Sequence, residues 1–259
     1  MDLDLDEAMA AYLDNPVESQ LLGLDDVIHR VPPEPLIDGI LSQRSLAVLF
    51  GKWGTYKSFV ALDMSMCIGL GWPWQGRETR QGPVIYVTAE GASGIGRRAR
   101  AWLEHYGPDE QPAVQFYPDV LNLLNPGSVD HLAKYSLRQG VRLIVFDTLN
   151  RSMVGGDENS SVHMSQVIAA SQKLQNAGAA VMLIHHLGHM GGEPRGHSSL
   201  PGAADHMIRT WKPPEDRDDG FFMLYSHKQK EEEPFKGIRM RLRQVQLEKG
   251  NSSAVVEAA

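Results

Sequence analysis

The sequence predicts an α/β fold with a mostly parallel sheet, helices on both faces and a C-terminal antiparallel extension. Three observations lead to this prediction. Short apolar runs alternate with helical patterns from residue 45 to residue 186, as is typical of a parallel sheet covered by helices. A glycine-containing loop directly follows the first of these runs. After residue 205, strand-like runs follow one another across polar turns, which indicates antiparallel strands.

Each element follows from the spacing of its apolar residues. Continuous or alternating apolar runs predict strands at 45–50, 83–90, 113–117, 141–148, 179–186, 206–211, 220–230 and 238–248. Apolar residues three and four apart predict helices at 58–70, 94–107, 128–139 and 161–177.

The chain is predicted to divide into three parts. Residues 1–34 form an acidic N-terminal arm that leads into the stiff, proline-rich linker VPPEPL. Residues 35–248 form one α/β domain. Residues 249–259, which end in NSSAVVEAA, form a flexible C-terminal tail.

Composition limits the classes of protein that fit. The chain has 259 residues, and no apolar run approaches the ~20 residues that a membrane span needs, so we expect a cytoplasmic protein without a membrane partner. Cys67 is the single cysteine, which excludes an internal disulfide and a multi-cysteine zinc site. The formal net charge of −7 argues against a generally basic nucleic-acid coat. Contact with DNA would therefore need a local patch or the lining of a ring.

The stretch GKWGTYKS, residues 51–58, nearly matches the phosphate-binding pattern G-x-x-x-x-G-K-[ST]. Such a loop needs inward-facing backbone N–H groups, a lysine for the outer phosphates and a hydroxyl for Mg²⁺. It also needs a strand before it and a helix after it, and both are predicted here. Tyr56 replaces the second glycine, and it fits if its φ is that of an ordinary helix entry. The predicted nucleotide-binding residues are Gly51, Gly54, Thr55, Tyr56, Lys57, Ser58 and Phe59.

Two carboxylates follow the ends of predicted strands. Asp147 ends the run LIVFD, where it can hold Mg²⁺ opposite Ser58, although an exposed aspartate at a strand end is also common. Glu90 ends the run VIYVTAE, where it can activate the attacking water. The alternative for Glu90 is a helix N-terminal glutamate that the helix dipole favours.

Paired histidines and paired lysines are further candidates. His185 and His186 end one strand, and adjacent side chains in a strand point to opposite faces, so only one can face a given site. We expect His185 to sense the γ-phosphate. Lys228 and Lys230 share one face of a predicted strand and can reach into a neighbouring subunit's site, although such a pair is more often a solvated edge.

Two long polar segments, 150–162 and 187–202, follow strand ends. Loops of this length are commonly functional, and the alternative is a solvated loop without a ligand. The residues in them that could contact a nucleic-acid backbone are Arg151, His189, Arg195 and His197.

Four segments in this order resemble the RecA-fold hexameric ATPases related to the plasmid RepA replicative helicase. They are LFGKWGTYKSFVALD, GPVIYVTAEG, RLIVFDTLNRSMVGGDENSS and LIHHLGHMGGEPRGHSSLPGAAD, and the resemblance spans about residues 35–248. It implies a RecA-like P-loop NTPase core, ATP with Mg²⁺, nucleotide sites between the subunits of a homo-oligomer such as a hexameric ring, and work on DNA. By position, the catalytic residues that it implies are Lys57, Glu90, His185, Lys228 and Lys230, with Ser58 and Asp147 at the metal.

The resemblance favours an ATPase of the RecA/RepA helicase type that acts on single-stranded DNA in phage or plasmid replication or recombination. Two alternatives stay open. One is a non-motor recombination mediator or regulatory ATPase. The other is a metal-dependent DNA nuclease that uses Asp147, Glu90 and the nearby histidines.

Overall fold

The computed structural model describes residues 21–31, 33–188, 192–213 and 220–259. The chain divides into two compact units, with the boundary between Glu34 and Pro35. The described part of the first unit contains one short helix, α1 (Leu24–Ile28). The second unit contains the sheet and every element that positions the candidate site.

The second unit begins with a small antiparallel pair and continues into a nine-stranded sheet. The small pair consists of β1 (Pro35–Ile37) and β2 (Leu41–Ser42). The strands of the large sheet, in chain order, are β3 (Leu46–Gly51), β4 (Val84–Thr88), β5 (Val114–Tyr117), β6 (Leu143–Asp147), β7 (Ala180–His186), β8 (His206–Trp211), β9 (Phe221–Gln229), β10 (Ile238–Gln246) and β11 (Ser252–Ala258). Their order across the sheet is β11-β10-β9-β8-β3-β7-β6-β4-β5.

The strand directions confirm the predicted fold class. Strands β8, β3, β7, β6, β4 and β5 are parallel neighbours, whereas β9, β10 and β11 are antiparallel. Strand β8 differs from the expectation because it runs parallel to β3, with Gly51 beside Thr210, and starts the antiparallel part only through its pairing with β9. The carboxyl ends of β3, β4, β6 and β7 therefore meet at one edge of the sheet, which is where ligands bind in such folds.

Helices cover both faces of the sheet. They are α2 (Lys57–Leu70), α3 (Ala92–Tyr106), α4 (Pro126–Gln139), α5 (Ser161–Asn176) and the short α6 (Ser199–Ala203). The first core packs α2 and α3 against one face of the sheet, and it includes Trp102 and Phe222. The second core packs α4 and α5 against the other face, and it includes Phe50 and Val167.

Two of the helices begin at a residue whose side chain caps them. The Asn125 side chain accepts a hydrogen bond from the Ser128 amide at 3.2 Å and starts α4. The Ser160 hydroxyl accepts one from the His163 amide at 3.4 Å and starts α5. Each cap satisfies a backbone donor that the first helical turn leaves without a partner.

A buried carboxylate lies within the first core. Asp63 on α2 accepts hydrogen bonds from the indole N–H groups of Trp74, at 2.9 Å, and Trp102, at 2.7 Å. Burial raises the pKa of Asp63 to about 6, against the lowering effect of these hydrogen bonds. Burial therefore makes this carboxyl group costly to ionise, although the two indole donors reduce the cost.

The predicted flexible tail at 249–259 is wrong. Residues 252–258 form strand β11, which pairs with β10 along its whole length. Val255 and Val256 are buried in the first core, and the Tyr106 hydroxyl on α3 donates to the Val256 carbonyl. Packing against a neighbouring strand and a helix decides the conformation here, because the local sequence preference for a strand is weak.

Candidate functional site

The loop between β3 and α2 runs from residue 51 to residue 56, and a neighbouring strand fixes its shape. A Cβ on Gly51 would lie 2.3 Å from the Thr210 hydroxyl and 2.5 Å from the Thr210 carbonyl oxygen, so only glycine fits there. The Thr55 hydroxyl lies 2.7 Å from the Thr210 hydroxyl and donates to the Lys52 carbonyl at 2.7 Å. Gly54 has a φ of 77°, which favours glycine. Strand β8 therefore holds the loop from the side.

Lys57 is the first residue of α2 and is almost fully buried. Its ammonium donates to the carbonyls of Gly51, at 3.1 Å, and Lys52, at 2.9 Å. Burial lowers the pKa of Lys57 to about 8, although the nearby charges of Asp147 and Glu90 raise it. The ammonium is therefore protonated at neutral pH, and a bound phosphate could replace the two carbonyl oxygens that it now contacts.

Asp147 ends β6 with a buried carboxylate. It accepts hydrogen bonds from the Tyr86 hydroxyl, at 2.9 Å, and from the Ser58 hydroxyl. Burial raises the pKa of Asp147, and the two hydroxyl groups act in the opposite direction. A hydroxyl and a carboxylate are the oxygen ligands that Mg²⁺ prefers, so Ser58 and Asp147 fit the predicted metal.

Glu90 follows the end of β4 beside Asp147. Its amide donates to the Asp147 carbonyl at 3.0 Å, and its carboxylate accepts from the Thr148 hydroxyl at 3.3 Å. Glu90 is exposed, and its charge acts on both Lys57 and Asp147. A carboxylate in this position is close to the lysine and open to water.

The two histidines at the end of β7 lie on opposite faces of the sheet. His185 is fully buried, and its Nε2 lies 2.7 Å from the Arg195 carbonyl oxygen. Burial lowers the pKa of His185 to about 4, so the ring is neutral at pH 7. His186 is the histidine near the loop, because strand pairing places it beside Gly51. Burial lowers the pKa of His186 most, the charge of Lys57 lowers it further, and the charge of Glu90 raises it. The geometry therefore places His186, and not the buried His185, beside the loop, and the role of γ-phosphate sensor stays a prediction.

A network around the buried Glu158 carboxylate links the segments 150–162 and 187–202. The Glu158 carboxylate pairs with the Arg195 guanidinium and accepts from the Asn150 amide at 3.1 Å. It also lies 4.0 Å from His185 Nε2. The short 3₁₀ helix Asn150–Ser152 supplies the asparagine.

Two of the predicted DNA contacts already have partners within the chain. Arg195 pairs with Glu158, and His197 Nδ1 lies 3.0 Å from the Ser199 hydroxyl, so contact of either side chain with DNA stays a prediction. Arg151 is exposed and stays a candidate. His189 lies outside the described residues.

Lys228 and Lys230 lie away from the loop of their own chain. Strand β9 places Lys228 opposite Met207, near the start of β8, whereas the loop contacts the end of β8. The Lys228 ammonium donates to the carbonyls of Pro201 and Gly202 at 2.9 and 3.2 Å, and Lys230 pairs with Asp205 at 3.5 Å. Their action on a neighbouring subunit stays a prediction.

The backbone of Tyr56 does not have the φ of an ordinary helix entry, which is the condition for a tyrosine to fit there without strain. Its φ is 66° and its ψ is 20°, in the left-handed region that favours glycine. The ring packs edge-on against Phe222 of β9, at a centroid distance of 5.3 Å, and against Phe59 at 6.4 Å. The Lys212 ammonium donates to the Tyr56 hydroxyl at 3.2 Å. Tyr56 therefore ties the loop to the antiparallel extension.

Several residues of the site carry no sequence signal of their own. Tyr86 bonds to Asp147, and Thr210 holds the loop. The Arg98 guanidinium stacks 4.6 Å from the Phe59 ring centroid, and its charge lowers the pKa of Asp147. Each becomes recognisable only when the strands and helices are assembled.

Among the described residues, no helix is long and apolar enough to cross a membrane. Within the same residues, no three His, Cys, Asp or Glu side chains come together as a group that could hold a metal ion.

The glycine-containing loop between β3 and α2, with Asp147 and Glu90 at adjacent strand ends, defines a P-loop nucleotide-binding protein with a RecA-like fold. The chain belongs to the AAA domain family, whose model matches residues 16–192. Its fold is similar to the crystal structure of the RadB recombinase, with a TM-score of 0.59 and 16% sequence identity. The matched region covers 84% of this chain and 91% of that chain.

Proposed function

We propose that this protein hydrolyses ATP and couples hydrolysis to single-stranded DNA, as a helicase or translocase in phage or plasmid replication or recombination. One observation carries the proposal: Lys57, at the start of α2, lies close enough to Asp147 and Glu90, at the ends of two neighbouring strands, for both carboxylates to act electrostatically on its ammonium. This combination of a cation, a buried carboxylate and an exposed carboxylate is what phosphoryl transfer to water requires.

Each residue has a role in this proposal. The Lys57 ammonium binds the outer phosphates of ATP, and the loop amides surround them. Ser58 and Asp147 would hold Mg²⁺, which supplies charge neutralisation at the phosphates when bound. Glu90 orients the attacking water and accepts its proton. His186, on the same side of the sheet as Lys57, contacts the terminal phosphate.

We propose a homo-oligomer, such as a hexameric ring, in which Lys228 and Lys230 act on the nucleotide of a neighbouring subunit. Arg151 is exposed and available for a DNA phosphate. No specific observation favours a non-motor mediator or a nuclease over this function.

The test is ATP hydrolysis by wild type, Lys57→Ala and Glu90→Gln, each with and without single-stranded DNA. We expect Lys57→Ala to lose ATP binding. We expect Glu90→Gln to bind ATP but to hydrolyse it about 10²–10⁴-fold more slowly, because a general base contributes that much. Lys134→Ala, on an exposed lysine of α4, is the matched control and should hydrolyse ATP like wild type.

DNA integrity is scored in the same tubes. Cleavage of DNA with Mg²⁺ or Mn²⁺ in the absence of ATP would replace this function with a nuclease. Wild type that hydrolyses no ATP in any condition would refute the proposal.

A further inference from the structure

Strands β8 and β9 form an open cleft on the face of the sheet that carries the second core. Its lining residues are Arg209, Trp211, Tyr225, Ser226 and His227, and we call it the β8–β9 cleft. Its volume of about 270 Å³ lies just below the roughly 300–1,000 Å³ of typical small-molecule sites. The cleft therefore has room for a small ligand, and because it is open it could also hold one unit of a longer chain.

One polar atom of the cleft is buried without a partner. Arg209 Nε makes no hydrogen bond with any part of the chain that the structure describes. A buried donor without an acceptor costs free energy, and the cost is higher when the donor belongs to a cation. A ligand that brings an anionic oxygen to Arg209 would remove that cost.

Two aromatic rings line the cleft. The centroids of Trp211 and Tyr225 lie 6.4 Å apart with their planes at 60°, and Tyr225 is 38% exposed. Aromatic faces beside a guanidinium are the surfaces on which the bases of single-stranded nucleic acids stack. The cleft thus offers a stacking surface and a phosphate partner within one small space.

The remaining wall connects the cleft to a segment that follows β7. His227 Nε2 lies 3.0 Å from the Glu193 carboxylate, and its ring packs edge-on against Phe50 at a centroid distance of 5.3 Å. His227 therefore already has partners, and the ligand would contact Arg209 and the two aromatic rings instead.

We infer that the β8–β9 cleft binds one nucleotide unit, with its base against Trp211 and Tyr225 and its phosphate at Arg209. The unit can come from a DNA strand or from a free mononucleotide, since both carry the same base and phosphate. The DNA source rests on the proposed function. The cleft lies beside strand β8 on the face opposite α2, so this site is separate from the loop that holds Lys57.

The direct test uses wild-type protein and an oligothymidylate that contains 5-iodouracil, which forms a covalent bond to a stacked aromatic side chain under ultraviolet light. A parallel sample contains free 5-iodo-deoxyuridine monophosphate. We expect peptide mapping to place the bond at Trp211 or Tyr225. Bonding from the oligomer alone identifies a DNA strand as the source, and bonding from the mononucleotide identifies a free nucleotide. Bonds found only outside residues 209–227 would overturn the inference.

Variants test the phosphate contact. Arg209→Gln should bind the oligomer about 10-fold more weakly, which corresponds to about 1.4 kcal/mol. Arg138→Gln is the matched control, because Arg138 is exposed and lies at the end of α4, which leads into β6, and β3 and β7 separate β6 from β8 in the sheet. Equal affinities for the two variants would overturn the phosphate contact. Wild type that neither binds DNA nor hydrolyses ATP would contradict the proposed function, whereas DNA binding with bonds elsewhere contradicts only the cleft.

Discussion

Tyr56 combines an unfavourable backbone with favourable side-chain contacts, and the two can be measured separately. A left-handed conformation costs a residue with a Cβ about 1–2 kcal/mol, and Tyr56 has a φ of 66°. Against this, its half-buried ring packs on Phe222 and Phe59. An edge-on aromatic pair contributes about 0.5–1.5 kcal/mol beyond the burial of its area.

Two substitutions separate the backbone from the ring. Tyr56→Ala and Tyr56→Gly both remove the ring, but only Tyr56→Ala keeps a Cβ in the left-handed conformation. We expect Tyr56→Ala to lower the free energy of unfolding by about 2–3 kcal/mol, from the lost aromatic contact and the lost burial of a half-exposed ring. We expect Tyr56→Gly to lower it by only about 1–2 kcal/mol, because glycine relieves the backbone strain.

The assay is urea unfolding. The midpoints of the variants are compared where their m-values, the slopes of the free energy of unfolding against urea concentration, are equal. Tyr56→Phe is the control, because it keeps the ring and removes only the hydrogen bond from Lys212, which contributes about 1 kcal/mol. At an ordinary position, alanine is more stable than glycine by about 0.5–1 kcal/mol. If Tyr56→Ala is as stable as Tyr56→Gly or more stable, the left-handed conformation is refuted.

Three further predictions concern buried charges. The pKa of Lys57 is about 8 and bound phosphate raises it, so the affinity for ATP should fall by up to about tenfold per pH unit above pH 8. Calorimetric titration of ATP from pH 7 to 9.5 checks this. An affinity that does not change with pH contradicts it. The pKa of Asp63 is about 6 in the folded state, against an ordinary value of 3.8. Between these two pH values the folded state binds more protons than the unfolded state. The free energy of unfolding should therefore fall by roughly 3 kcal/mol as the pH rises from 3.8 to 6. Asp63→Asn should remove this pH dependence. Urea unfolding of wild type and variant at pH 4 and at pH 6.5 checks this, because only wild type should lose stability between the two pH values. Glu158→Gln leaves the half-exposed Arg195 without its anion and should lower the free energy of unfolding by about 1–3 kcal/mol, whereas Glu193→Gln, which breaks an exposed pair, should cost under about 1 kcal/mol.

The core of the nucleotide site could be predicted from the sequence because its determinants are local. A buried strand, a glycine-containing loop and a helix lie next to one another in the chain, so Lys57 and Ser58 are placed by short-range geometry alone. Asp147 and Glu90 follow buried strands, and parallel strands bring their carboxyl ends to one edge of the sheet.

The choice between His185 and His186 could not be made in this way. Side chains alternate between the two faces along a strand, so the two histidines lie on opposite faces of the sheet. This alternation does not say which face carries α2. That depends on how helices pack on each side of the sheet. His185 instead meets Glu158 and the Arg195 carbonyl, which come from two other segments of the chain.

Long-range pairing also explains the other differences. The tail forms β11 because β10 and α3 offer it hydrogen bonds and a place for Val255 and Val256, and neither neighbour is visible in NSSAVVEAA. The strain at Tyr56 is equally invisible in the sequence, because the contact with Phe222 depends on where β9 lies relative to the loop.

Strand β8 joins the phosphate loop and the β8–β9 cleft, because neighbouring residues of a strand face opposite sides of the sheet. Thr210 bonds to Thr55, and its hydroxyl leaves no room for a Cβ on Gly51. Arg209 and Trp211, on either side of Thr210, line the cleft. A ligand that displaces β8 at the cleft should therefore also displace Thr210 against the loop, because β8 and the loop are closely packed. The substitution of Gly51 by alanine, which forces the same contact apart, should accordingly disturb both the nucleotide loop and the cleft.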